Sequence, residues 1–406
     1  MNIVLFAAVD FPETDAPGQR ASLIVKGLRA AGEDAFMLIP HASRTGNVAE
    51  NERTSGHFNA VPFLYLNGHT SRPLGRMAAI SDTLKGMIAG SFVLIRRKRK
   101  GSVDAVLLYS PDTLKYFIVI FTCIILRIPF FVEICEMMTT MREGRNWKSK
   151  ISMLGYFLTE RVLPYLARGY IVISSSLFEH YLKYLTPPGV HLLPILIDDM
   201  KPDPARSSRR YPEKKVILYS GSFGEKDGVP YLLRAFKIVH DEDPRVYLVL
   251  TGKPPDDLTA ERLACLAREL GLDTALTFTG FVKRTELEAL QQEASVLLVC
   301  RTKSDFARYG FPWKLAEYCL VGKPIVATDV GDIQKYFQDG ISVFLAEPEN
   351  ADSIAGKVSF ILAHPVEASS VAIAARCVAL KCFEYRQQNA ILSDFIRARL
   401  SSSHGK

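Results

Sequence analysis

Phe311-Pro312-Trp313-Lys314-Leu315-Ala316-Glu317-Tyr318, running on to Gly322-Lys323-Pro324-Ile325-Val326-Ala327-Thr328, reads as a short helix followed by a buried strand. Pro312 suits a helix start, where its missing N–H leaves no bond unmade and its fixed φ matches the first turn. Gly322 supplies the stop, Pro324 blocks a return, and Ile325-Val326-Ala327 is the apolar run of a strand. Lys314 falls in the first turn, where a cation opposes the helix dipole unless an anion shares that end. Glu317 follows one turn later on roughly the same face. Such a pair can share a phosphate-bearing ligand, the ammonium meeting phosphate and the carboxylate accepting from ribose hydroxyls. The spacing equally describes an amphipathic helix with a surface ion pair, and the residues alone leave both open.

Outward from that stretch, short apolar runs alternate with longer helical patterns, which predicts parallel sheets built from βαβ units. In the first half, strands are expected at Ile3–Ala8, Asp34–Leu38, Val103–Tyr109, Phe130–Glu133 and Tyr170–Ser174. Residues 41–72 read as an irregular polar insertion. The second half restarts the rhythm with strands at Val216–Ser220, Val246–Thr251, Leu276–Thr279, Val296–Cys300, Pro324–Thr328 and Val343–Leu345. Between the halves, Ile197–Lys215 gathers Asp198-Asp199, Pro202, Pro204 and a basic cluster, as a linker does, with the acidic pair expected as solvated charge. The expected division is 1–196, a linker 197–215, a second domain 216–380, and a terminal helix and tail 381–406. The fold class is α/β, with two doubly wound Rossmann-like domains facing each other across a cleft, and ligands outside the carboxyl ends of the strands.

The bulk numbers agree with two such domains: 406 residues, 48% apolar and 23% charged exceed what one small core needs. A net charge of +7 favours acidic partners such as nucleotides or anionic lipid. The seven cysteines form no C-x-x-C pair, which points to a reducing compartment and away from a disulfide framework or structural zinc. The eight histidines show no ligand spacing, so no metal is expected. Ile3–Ala8 is a strand rather than an export signal. Tyr116–Leu126 is too short to cross a bilayer and reads as a buried helix. Arg96-Arg97-Lys98-Arg99-Lys100 ends a helix; solvated cations and peripheral contact with an anionic membrane are its two readings. Nucleic acid is not expected, because the run has no interleaved aromatics.

Two further turns follow strands. Gly221-Ser222-Phe223-Gly224-Glu225-Lys226-Asp227-Gly228 can bring backbone N–H groups to phosphate, with Lys226 neutralising charge. Gly18-Gln19-Arg20 follows the first strand and opens a helix, as a ligand-side turn or a capping turn. Glu133 and Glu136 end a strand, as acceptor-facing carboxylates or helix caps.

Together these features resemble the retaining glycosyltransferases of the GT-B fold, family 4, over nearly the whole chain. Tyr219–Gly224 with Lys226 and Gly228 is similar to that family's first donor loop, Thr279-Gly280-Phe281-Val282 to its base-contacting strand end, and Phe311–Thr328 to its signature. Val330-Gly331-Asp332 resembles the following glycine turn. The resemblance implies a nucleotide-sugar donor, a glycan or lipid-linked acceptor, no cofactor, and a cytoplasmic protein, peripheral on the membrane if the acceptor is lipid-linked. It implies Lys226, Lys314 and Glu317 as catalytic; Gly221, Ser222, Phe223, Phe281, Val282, Pro312 and Trp313 around the donor; and Gly18, Gln19, Arg20, Glu133 and Glu136 toward the acceptor. Three positions depart from the pattern: Ser222 stands where an arginine is common, Asp227 where a lysine is usual, and Tyr309 where a glutamate recurs. Lys226, Arg301, Lys303 and Arg308 are the cations able to compensate. A nucleotide-sugar epimerase and a non-catalytic sugar-nucleotide-binding protein are the rival readings.

Overall fold

The computed structural model describes residues 1–11, 16–41, 53–137, 139, 147–185, 188–199 and 210–402. They fall into two compact units, Met1–Asp198 with Glu384–Lys406, and Asp199–Phe383.

The first unit runs β1 (Asn2–Ala7), α1 (Ala16–Ala30), β2 (Asp34–Ile39), β3 (Ser55–Phe58), β4 (Val61–Tyr65), α2 (Arg76–Arg99), β5 (Ala105–Tyr109), α3 (Thr113–Ile125), β6 (Phe130–Ile134), α4 (Trp147–Arg161), β7 (Gly169–Val172), α5 (Ser175–Tyr181) and β8 (Val190–Leu192). Its sheet is ordered β3-β4-β2-β1-β5-β6-β7-β8, parallel throughout except for the antiparallel β3–β4 pair. Ile3, Val4, Leu5 and Phe6 are all buried, because helices on both faces leave a parallel strand no solvent side and its sequence reads as an unbroken apolar run.

The second unit runs β9 (Lys215–Ser220), α6 (Val229–Glu242), β10 (Val246–Thr251), α7 (Asp257–Glu269), β11 (Leu276–Gly280), α8 (Arg284–Glu293), β12 (Val296–Val299), α9 (Asp305–Tyr309), α10 (Trp313–Val321), β13 (Ile325–Thr328), α11 (Ile333–Tyr336), β14 (Phe344–Ala346), α12 (Ala351–Ala363) and α13 (Pro365–Phe383). Its six parallel strands are ordered β11-β10-β9-β12-β13-β14. The chain then returns to the first unit as α14 (Tyr385–Ser401), whose Tyr385, Leu392 and Ile396 complete that unit's core beside Ile24 and Leu28 of α1.

Four expectations need correction. Within 41–72, β3 and β4 form a hairpin on the sheet edge, turned by Asn59 and Ala60 at φ 45° and 69°. Pro62 disguised β4, but its parallel ladder to β2 starts at Phe63, past the missing N–H. The helix at Tyr116–Leu126 is buried on one face only; Phe117, Phe121 and Ile125 are exposed. Gly18 and Arg20 lie inside α1 rather than in a turn before it. Asp198 is half-buried and paired with Lys26 rather than simply solvated, whereas Asp199 is exposed, with Arg376 Nη2 2.5 Å away. Residues 200–209 of the expected linker and 403–406 of the expected tail lie outside the described residues.

Candidate functional site

Strand order in the second unit reverses at β9, between β10 on one side and β12 on the other. At such a switch point the loops leaving the carboxyl ends diverge and open a ligand crevice. The loop after β9 is shaped by close backbone approach. Gly221 and Gly252 have φ 147° and 132°, and a Cβ on Gly252 would lie 1.8 Å from the Gly221 carbonyl oxygen. Gly221 N–H donates to Thr251 O at 2.9 Å, and Gly252 N–H to Gly280 O at 2.9 Å. Glycine is therefore required where these ends converge. Gly252 went unread in the sequence, since a single glycine after a strand carries no spacing signal.

Helix α10 is fastened to the end of β9 by Tyr318, whose hydroxyl meets Ser220 N at 2.9 Å and Ser220 Oγ at 2.7 Å. Lys314, one turn earlier on that face, is thereby aimed at the glycine loop. A Cβ on Gly221 would stand 2.5 Å from its Nζ. The ammonium donates to Tyr219 Oη at 2.7 Å and lies 3.5 Å from Asp227 Oδ1. Tyr219 in turn donates to Ser222 O at 2.8 Å, and the Ser222 hydroxyl to Asp227 Oδ2 at 2.6 Å. Burial depresses the Lys314 ammonium below the usual lysine value, with Asp227 opposing that shift. Burial pushes Asp227 the other way, but Lys314 foremost, then the Ser222 hydroxyl, hold it below the usual carboxylate value. Ser222 and Asp227, two departures from the family pattern, are thus partners in the network that seats Lys314.

Pro312 is the residue before α10, with Trp313 first in the helix, and Leu315 N–H donates to Pro312 O at 3.0 Å. The Trp313 Nε1 is buried with no hydrogen-bond partner, a donor available to an acceptor at the helix start. Glu317 is held by Arg284 Nη1 at 2.8 Å, while Arg284 Nε donates to Glu288 at 2.7 Å. Lys226 projects over the Phe306 ring at 4.5 Å, and its carbonyl accepts from Thr302 N–H at 3.1 Å. Of the compensating cations, Arg301 is buried and donates to Ala307 O at 3.0 Å. Lys303 and Arg308 are exposed, and Arg308 donates to Tyr309 Oη at 3.2 Å. Phe281 is exposed and Val282 half-buried just past β11. Phe223 is a correction: it is a core residue, with ring centroids 5.9 Å from Tyr219 and 6.1 Å from Phe278.

The acceptor-side reading needs a larger correction. Arg20 and Glu133 are both buried and form an internal pair, Nε to Oε1 at 2.7 Å. The guanidinium spends its remaining donors on Pro194 O at 2.6 Å and Leu193 O at 2.8 Å. Burial would lower its pKa, but Glu133 outweighs that and holds it above the usual value. Gly18 is buried on α1, and Gln19 and Glu136 are half-buried. At the carboxyl end of β4, however, Asn67, His69, Asp82 and Lys85 line a cavity of about 350 Å³. His69 Nε2 lies 2.8 Å from Asp82 Oδ1, and Asn67 Nδ2 donates to the same carboxylate oxygen at 2.8 Å. Asp82 Oδ2 is buried without a partner. The sequence did not reveal this group, since thirteen residues separate His69 from Asp82 and no motif joins them. Among the described residues, no cluster of three or more His, Cys, Asp or Glu side chains is placed to hold a metal ion.

Residues 201–376 match the family described as glycosyl transferases group 1. The chain is 28% identical over 234 residues to a GDP-mannose-dependent alpha-(1-6)-phosphatidylinositol monomannoside mannosyltransferase of Mycolicibacterium smegmatis, covering 55% of this chain and 57% of that one. It is 25% identical over 232 residues to a lipopolysaccharide 1,2-N-acetylglucosaminetransferase of Salmonella typhimurium, covering 54% and 59%. The chain thus spans under three fifths of these curated relatives. Among solved structures, HepE of Anabaena in complex with UDP and glucose superposes with TM-score 0.72 at 15% identity, covering 98% of this chain and 100% of that one. WaaG, a glycosyltransferase involved in lipopolysaccharide biosynthesis, gives 0.66 at 14% identity, covering 97% and 99%. At such identities the superpositions establish the shared fold. Residues 201–376 therefore match glycosyl transferases group 1, and the chain as a whole shares the GT-B fold of these structures.

Proposed function

We propose that the protein transfers a glycosyl group from a nucleotide-sugar to a glycan or lipid-linked acceptor, with retention at the anomeric carbon. The observation that carries this is Lys314: a half-buried ammonium in the first turn of α10, pressed against Gly221 at the switch point of the sheet. Breaking a glycosyl–phosphate bond leaves a nucleoside diphosphate whose developing charge must be stabilised. A fixed cation beside a helix N-terminus does this without reorganising during the reaction. Glu317, oriented by Arg284, is placed to accept from ribose hydroxyls. Trp313 Nε1 offers one more donor at the helix start, and Phe281 an exposed ring beside the base. The names of the two curated relatives, one a lipid glycoside and the other a lipopolysaccharide enzyme, support the acceptor class. On the acceptor side, the cavity at Asn67, His69 and Asp82 replaces Arg20 and Glu133 as the place for an acceptor hydroxyl.

Thermal stabilisation by UDP-, GDP-, ADP- and dTDP-sugars, first without and then with magnesium, identifies the donor. Glu317→Ala and Lys314→Met are expected to abolish the shift. Product formation with an acceptor extract then separates a transferase from an epimerase, which converts the donor alone, and from a binding protein, which converts nothing. Undiminished turnover in both variants would overturn the site. Asp82→Asn is expected to raise the KM for acceptor and leave donor stabilisation unchanged.

A further inference from the structure

Helix α2 carries Met77, Ile80, Leu84, Ile88 and Phe92 on its outer side, spaced by three or four residues, and all are exposed, Met77 by 78% and Phe92 by 67%. At helical spacing these form one stripe along some three turns or more. Helix α3 adds a second stripe, Leu114, Phe117, Phe121 and Ile125, the last 63% exposed, with the Phe117 and Phe121 rings stacked at 6.0 Å. The two helices pack side by side, and Thr122 Oγ1 donates to Ser91 Oγ at 3.0 Å, which fixes their register. Leu154 and Phe157 of α4, which packs on α3, extend the surface. A contiguous apolar face of this extent is uncommon on a monomer without a partner.

Charge decides what covers it. Asp82 and Glu160 are the acidic residues of the three helices, and both are buried. Arg96, Lys98, Arg99 and Lys100 are exposed at the end of α2. Arg127, just after α3, is exposed as well. Arg97 is withdrawn from the cluster, its guanidinium 3.7 Å over the Phe36 ring. A second copy of this face would bring no exposed carboxylate to those cations. An anionic bilayer matches both the apolar stripes and the cationic end. By length and hydropathy, 1.4 on average, Met77–Arg99 could cross a membrane, but Met87 and Leu94 of that helix are packed into the first unit's interior.

We propose that the outer face of α2, α3 and α4 docks the protein on an anionic membrane surface, the apolar stripes entering the interface and Arg96, Lys98, Arg99, Lys100 and Arg127 meeting lipid phosphates. The test is cosedimentation of the full chain with vesicles of phosphatidylcholine alone and of phosphatidylcholine with phosphatidylglycerol, at low and high salt. Binding to the anionic vesicles, weakened by salt, is expected. Phe92→Ser with Phe121→Ser should lower partitioning at least tenfold, and Arg96→Gln with Lys100→Gln by roughly fivefold for each charge removed. Thermal unfolding and nucleotide-sugar stabilisation of the variants, both expected to match wild type, show that the fold and the donor site are intact. Wild-type protein that stays in the supernatant with anionic vesicles overturns the proposal. So does a concentration-dependent dimer abolished by Phe92→Ser, because the face would then belong to a second copy.

Discussion

At Lys314 the local and the tertiary demands oppose one another. A cation in the first turn of α10 is disfavoured by the helix dipole, and burial lowers its pKa. It persists because Asp227 faces it at 3.5 Å. Removing one member of such a buried pair leaves the other uncompensated, so Lys314→Met is expected to destabilise the second unit by about 3 kcal/mol. The double variant with Asp227→Asn should recover much of that in denaturant unfolding, while neither variant is stabilised by donor. Because the folded value of Asp227 lies below its unfolded 3.8, its contribution is present above pH 3.8 and is lost as pH falls through the folded value. Wild type and Asp227→Asn should therefore differ in stability at neutral pH and converge in strong acid. Because Lys314 loses its proton below the usual 10.5, donor affinity is expected to fall on the alkaline side before that value is reached. Of this network the sequence showed Lys314 and the adjoining Gly221, since helix position and turn chemistry are local. The roles of Tyr219, Ser222 and Asp227 were not legible, because they depend on which side chains a 95-residue excursion brings back to one strand end.

Among the elements, α14 depends most on long-range packing. It crosses α1 so closely that a Cβ on Gly27 would lie 2.3 Å from Asn389 Nδ2, and Asn389 itself donates to Tyr385 O at 2.8 Å. Gly27→Val is expected to cost about 1–3 kcal/mol by overpacking, and Asn389→Ala should restore part of the loss, as equilibrium unfolding of the single and double variants will show. The same helix is tied to the strand side of the unit by Glu33, which accepts from Ser393 Oγ and Arg397 Nη2, each at 2.5 Å, and from the N-terminal ammonium. Residues 381–406 read as a terminal helix and tail, but no pattern in them could say which unit the helix would join.

For the molecule as a whole, the two units have separate cores and meet the requirements of separately cooperative folding. Scanning calorimetry is expected to resolve two transitions. Nucleotide-sugar at about 100 times its dissociation constant should stabilise the one belonging to Asp199–Phe383 by about 2.7 kcal/mol. Deleting residues after Phe383 should lower the other transition selectively, since Tyr385, Leu392 and Ile396 leave the first unit's core with it. A single transition raised as a block by donor would show that the units unfold together.

By itself the sequence determined the α/β class, the repeated βαβ rhythm, nearly every parallel strand and the α10 signature, because periodicity, glycine stops and proline placement act within a few residues. The tertiary structure alone decided three things. It turned Arg20 and Glu133, each plausible as a ligand group, into a buried pair, because 113 residues of chain bring them within 2.7 Å. It assembled His69 and Asp82 at the end of a strand whose proline had hidden it. It left the outer faces of α2 and α3 uncovered, because hydrophobicity in a sequence records that a side chain avoids water and not what will shelter it.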